Sequence, residues 1–101
     1  MSEESSPGSG SKAFLVERYV PGITKVQFEA AERRIRRAVR DLAATGAAIR
    51  LVSSAFVPTE EIVLSVFEAS AEETVIDANV RSGVHVDRVQ PAELSHDEDL
   101  D

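Results

Sequence analysis

Two periods of apolar residues alternate along this chain. Over residues 12–20, 48–57 and 61–69 the β-prone side chains crowd together: Phe14, Leu15, Val16 and Tyr19, then Leu51, Val52, Phe56 and Val57, then Ile62, Val63, Leu64, Val66 and Phe67. Pro21-Gly22 ends the first run and Pro58-Thr59-Glu60 separates the other two, which predicts a strand and turn, then a hairpin. Between the first two runs, Phe28, Ala31, Ile35, Ala38 and Leu42 recur every three or four residues, the spacing of one helix face. Thr24-Lys25-Val26-Gln27 makes a capping box at its start, Ile23 and Phe28 a hydrophobic staple, and Gly46 a stop. Ser70-Ala71-Glu72-Glu73 reads as a second capping box, opening a helix with Ala71, Val75 and Ala78 on one face and Gly83 at its end. Residues 88–94 form a last strand in which Pro91 removes one ladder donor, a mark of an edge position.

The order strand, helix, strand, strand, helix, strand is the split βαβ pattern. It predicts a ferredoxin-like α+β domain over residues 12–94: a four-stranded antiparallel sheet, two helices on one face, and the last strand at an edge. The strands do not alternate cleanly between apolar and polar, so both sheet faces carry hydrophobic side chains, and two helices cover only one. A second copy on the open face, giving a two-fold homodimer of the dimeric α+β barrel kind, is the expected solution. The competing expectation is a marginal monomer whose tails shield the sheet.

Charge changes the picture only at the ends. The formal net charge is -7, from 11 Lys plus Arg and 18 Asp plus Glu. Residues 12–92 hold 11 basic and 11 acidic side chains, so the surplus belongs to Glu3 and Glu4 in front and to Glu93, Asp97, Glu98, Asp99 and Asp101 behind. Residues 1–11 and 95–101 lack the apolar side chains that would repay ordering and read as disordered tails. No Cys is present, which excludes disulfides, thiolate metal sites and a cysteine nucleophile. No apolar run approaches the roughly 20 residues of a membrane span, and no secretory leader is visible. A cytoplasmic protein is expected, and the excess of Arg over Lys, nine to two, suggests a bacterial source.

Candidate chemistry is sparse. Arg33, Arg36, Arg37 and Arg40 share a helix face, yet Glu29 and Glu32 precede Arg33 and Arg36 by four residues, the favourable order on a solvated helix. With a neutral domain and no interleaved aromatics, nucleic acid is not the expected partner; docking of the acidic C-terminal tail on this ridge is a further option. His85 in a turn and His96 in the tail have no partner at ligand spacing. No catalytic triad, phosphate loop or zinc-binding helix motif occurs. If the hairpin loop centres on Thr59, Ser53 lies opposite Ser65 on one face. Two hydroxyls then meet amid apolar neighbours, either bonded to each other or to water, or serving a ligand.

Phe14-Leu15-Val16-Glu17-Arg18, Pro21-Gly22, Phe67-Glu68-Ala69 leading to Glu72-Glu73, and Gly83 with Asp87-Arg88-Val89 together resemble the small bacterial nickel-responsive or nickel-binding proteins of ferredoxin-like fold, mostly of unknown function. The resemblance spans about residues 12–94 and implies a dimer. It also implies a metal site of a strand histidine, a strand cysteine and a helix histidine, positions held here by Ser53, Ser65 and Ala78. Hydroxyls and a methyl group do not replace imidazole and thiolate for nickel. The expectation is therefore a small dimeric binding module with its metal ligands lost, no cofactor, no membrane partner and no catalytic residues. A pocket of Ser53, Ser65, Asn79, Glu17 and Arg18 would take a small polar ligand. The alternatives are a small enzyme, an isomerase or cofactor-free monooxygenase acting between sheet and helices, and thirdly a metal-binding protein.

Overall fold

In the computed structural model, residues 11–95 are described; the tails expected beyond them, with His96, lie outside the described residues. The elements are β1 (Lys12–Tyr19), α1 (Lys25–Ala44), β2 (Ile49–Val57), β3 (Ile62–Ala69), α2 (Glu72–Ser82) and β4 (Arg88–Ala92). All four strands pair antiparallel in one sheet of order β2-β3-β1-β4. This is the ferredoxin-like arrangement, with β4 at an edge as Pro91 requires.

Local signals and packing agree for α1. The Gln27 amide donates to Thr24 Oγ1 at 3.1 Å and the Thr24 amide to Gln27 Oε1 at 2.9 Å, closing both halves of the capping box. Ala31, Ile35, Ala38 and Leu42 are buried, as the periodicity predicts. Phe28 is half-buried and stacks on Phe56 of β2, with ring centroids 5.2 Å apart. The start of α2 corrects the second capping box. Ala71, not Ser70, is the N-cap and makes no side-chain cap bond. The Ser70 amide donates instead to Ala48 O, ending the sheet, and Glu72 and Glu73 in the first turn supply the negative charge that a helix N-terminus favours.

The helices cover the face bearing Phe14 and Val16 of β1, Leu51 of β2, and Val63, Phe67 and Ala69 of β3. Each fully buried Val, Ile or Phe there stabilises the fold by about 1.5–3 kcal/mol. Among the described residues, no helix covers the opposite face. Its Leu15, Ile62, Leu64 and Val66 are half-buried by neighbouring strands alone, and Tyr19 at its end is 56 % exposed.

The β2–β3 hairpin overturns the expected serine pairing. Its loop has four residues rather than three: the Glu60 and Glu61 amides close turns on Val57 O and Pro58 O, and Glu61 takes a left-handed φ of 56°. Val57 therefore opposes Ile62, Ser54 opposes Ser65, and Ser53 opposes Val66 on the other face. The expected register returns only beyond Val52, where a bulge lets Leu51 face Phe67.

Candidate functional site

One turn of chain builds the cavity over Arg18. Pro21-Gly22 carries the chain off the end of β1, with Gly22 at φ 73°, and Glu61 of the hairpin straps this turn in place. The Val20 amide donates to Glu61 O at 2.7 Å, and the Gly22 amide to a Glu61 carboxylate oxygen at 3.1 Å. The left-handed backbone at Glu61 thus sets the hairpin register and also aims a carboxylate at the neighbouring turn. Behind the turn, the first turns of α1, the end of β1 and the Gly83-Val84-His85 turn line an open cavity of about 550 Å³.

Arg18 lines this cavity and is 2 % exposed, the largest fully buried side chain of the described residues. Strand alternation explains the position: Arg18 follows Phe14 and Val16 on the helix-covered face, where a third apolar residue would be ordinary. Its partner is Glu32 on the inward side of α1, which accepts from Arg18 Nη2 at 3.2 Å. Glu32 is accordingly buried rather than part of the solvated face, and Arg36 reaches its other oxygen only at 3.9 Å. Burial pushes the Arg18 guanidinium down from its ordinary basicity, and the Glu32 charge and hydrogen bond oppose that push. Arg18 stays cationic at neutral pH, because guanidinium pKa values begin so high. Its Nη1 has no hydrogen-bond partner among the described residues. A buried guanidinium nitrogen left open is costly, and in native proteins such groups are few.

The remaining wall combines Arg34 and His85 with the neutral polar Gln27 and apolar side chains. Arg34 and His85 line the cavity beside Val20, Ile23, Phe28 and Val63, and among the described residues no Asp or Glu does. Arg34 Nε donates to Ser82 O at 3.3 Å, which holds the side chain across the gap between α1 and α2. His85 Nε2 lies 2.8 Å from Asp87 Oδ1, and the other Asp87 oxygen accepts from the Tyr19 amide at 2.6 Å. The Tyr19 amide first, then His85, hold the Asp87 carboxyl below its ordinary value of 3.8.

The five residues expected to share a pocket do not. Only Arg18 lines the cavity. Ser65 is buried two positions from Val63 on the same face, where its Oγ meets Ser54 Oγ at 2.7 Å. Ser53 is exposed and on the opposite face, because the four-residue loop shifts the register by one. Glu17 also faces the open side, where its carboxylate accepts from Gln90 Nε2 at 2.7 Å and lies 3.9 Å from Arg88. Asn79 on α2 is buried, donates through Nδ2 to Val75 O at 2.8 Å, and leaves Oδ1 without a partner among the described residues. It lines a separate cleft of about 390 Å³ with Ile76, Val80 and Val89, between α2 and β4. Glu32, Arg34 and the role of Glu61 went unanticipated. One usable signal pointed to Glu32: it follows Phe28 by four residues and sits between Ala31 and Ile35, beside the apolar stripe, while the inward series of β1 ends in Arg18.

The positions that the family resemblance would make metal ligands supply the Ser65 hydroxyl, already bonded to Ser54, the exposed Ser53 and the buried Ala78 methyl group, a donor set unsuited to nickel. Among the described residues, no three His, Cys, Asp or Glu side chains converge to hold a metal ion, and no helix is long and apolar enough to cross a membrane.

No family model matches the chain, and no curated protein does. Among solved structures, the chain is similar to SCO4226 from Streptomyces coelicolor A3(2), with a TM-score of 0.70 and 20 % identity over 83 % of this chain and 99 % of that one. At this identity the likeness concerns the fold: nearly the whole of that protein superposes on the ferredoxin-like domain described above.

Proposed function

We propose that the chain is a small homodimeric binding module without catalytic activity, related to the nickel-responsive proteins it resembles but with the metal ligands lost. Its ligand chamber in this reading is the cavity over Arg18, and the ligand is small and polar. The observation that carries the reading is the buried guanidinium with an open Nη1 at a cavity of about 550 Å³, a volume in the usual range for small-molecule sites. The test is a fragment screen read by backbone amide shifts of the full chain. Saturable shifts at Gly22, Ile23 and Val84 are expected, and a screen without them sinks the reading.

The dimer is proposed to form through the open sheet face. Strands about 4.8 Å apart and about 3.3 Å per residue give that face roughly 500 Å² per protomer, or about 1,000 Å² in the pair, at the threshold of a stable interface. Its apolar centre of Leu15, Leu64 and Val66 is flanked by the Arg50–Glu68 ion pair on one side and by Glu17 with Arg88 on the other. An apolar middle with charged borders is the usual anatomy of such contacts.

The enzyme reading rests on His85, the imidazole that lines the cavity. Its Nε2 is already engaged by Asp87 and its side chain is 67 % exposed, which favours a tether over a general base. The metal-binding reading predicts tight calorimetric titration with nickel, copper or zinc; the donor set described above predicts none.

A further inference from the structure

We infer that the group bound in the Arg18 cavity is a carboxylate carried on a compact apolar body, an aromatic or branched aliphatic acid. The inference rests on the reading of that cavity as the ligand chamber and adds the chemistry of its occupant.

Three observations converge on it. Among the described residues, the titratable side chains of the lining are Arg18, Arg34 and His85, with no carboxylate. In a partly dry site such a wall favours an anion and disfavours a cation. Arg18 is already half used, because Nη2 serves Glu32 while Nη1 has no partner among the described residues. One more acceptor completes the guanidinium, and a carboxylate is the acceptor whose planar geometry suits it. Arg34 offers the second contact. Its Nε is held by Ser82 O, and no carboxylate pairs with it among the described residues.

The rest of the wall decides between anions. Val20, Ile23, Phe28 and Val63 present hydrocarbon, and the side-chain oxygen of Gln27 is taken by the α1 cap; this wall stabilises an apolar body by desolvation and offers a phosphate dianion few donors beyond Arg18, Arg34 and the Gln27 side-chain amide. The Glu32 carboxylate, bound to the same guanidinium, opposes a second negative charge more strongly when the ligand carries two.

The experiment titrates the full chain with phenylacetate, phenylacetamide and inorganic phosphate, following the amides of Gly22, Ile23, Val84 and His85. Phenylacetate is expected to shift them saturably, with phenylacetamide weaker by about tenfold or more, since a charge-assisted hydrogen bond is at stake, and with phosphate weaker than phenylacetate. Equal binding of acid and amide overturns the carboxylate assignment while the chamber reading stands. Phosphate binding as tightly as phenylacetate overturns the apolar body. Absence of saturable shifts with all three overturns both the inference and the reading beneath it. A second arm uses Glu32→Gln, which keeps an acceptor for Arg18 and removes the competing charge. Several-fold tighter phenylacetate binding is expected, a gain that a purely structural Arg18–Glu32 pair would not produce, and unchanged affinity removes Arg18 as the anchor.

Discussion

Arg18 and Glu32 form a buried pair whose value lies in being complete. Desolvating two charges offsets most of their attraction, whereas removing one partner strands the other. Arg18→Met is therefore expected to destabilise the chain by roughly 3–5 kcal/mol in urea denaturation, and the double variant Arg18→Met with Glu32→Leu to recover most of that loss. A double variant no more stable than the single one would show that the pair is not a local unit. Asp87 is a milder case with a definite pH signature. Its carboxyl is held below 3.8 by the Tyr19 amide and His85, so its contribution is fully present above that value and fades as pH falls through the lower folded value. Asp87→Asn should be less stable than the parent near neutrality, and the gap should close in acid below pH 3.8. A gap independent of pH would assign the loss to packing instead.

At the scale of elements, hairpin register decides which serines meet. Glu61 at φ 56° lengthens the loop by one residue and puts Ser54 opposite Ser65, and the bulge at Val52 restores the pairing that Leu51 needs to reach the core. A one-residue slip exchanges the two sheet faces, which is why Ser53 ends exposed. Ser65→Ala should cost about 1–2 kcal/mol by orphaning the Ser54 hydroxyl, with partial recovery in the Ser54→Ala, Ser65→Ala double variant. Ser53→Ala should stay within about 0.5 kcal/mol of the parent. Thermal denaturation of the four proteins checks the order, and equal effects of the Ser53 and Ser65 changes would contradict the register. The start of α1, by contrast, was legible residue by residue, because Thr24 and Gln27 satisfy each other within one turn whatever the tertiary surroundings.

The molecule as a whole presents two unlike sheet faces. One carries the helices, the core and the cavity; the other carries Leu15, Leu64 and Val66 half-buried by strand neighbours alone. If a second copy covers the open face, Val66→Glu should convert the protein to a monomer in light scattering at tens of micromolar and leave the cavity on the opposite face able to bind. A parent protein that is already monomeric would remove the dimer from the proposal. The elongated outline, with principal extents of 49, 35 and 20 Å, is that of one sheet with one layer of helices.

What the amino-acid order determined by itself was local or periodic: six elements in the βαββαβ order, the α1 cap, the inward stripe of Ala31, Ile35, Ala38 and Leu42, and the edge position of the Pro91 strand. These follow from contacts within a few residues, or from the period of one element. The site was not of that kind. Arg18 and Glu32 lie 14 positions apart on different elements; Arg18 stands among the expected pocket residues, but Glu32 reads as a charge on a solvated helix face until β1 and α1 are packed face to face. The same holds for Glu61, whose carboxylate reaches Gly22 across 39 residues. Strand alternation points Arg18 inward, but only tertiary packing could pair it with Glu32 and leave its second nitrogen open at a cavity, because burial and hydrogen-bond satisfaction are properties of the assembled layers.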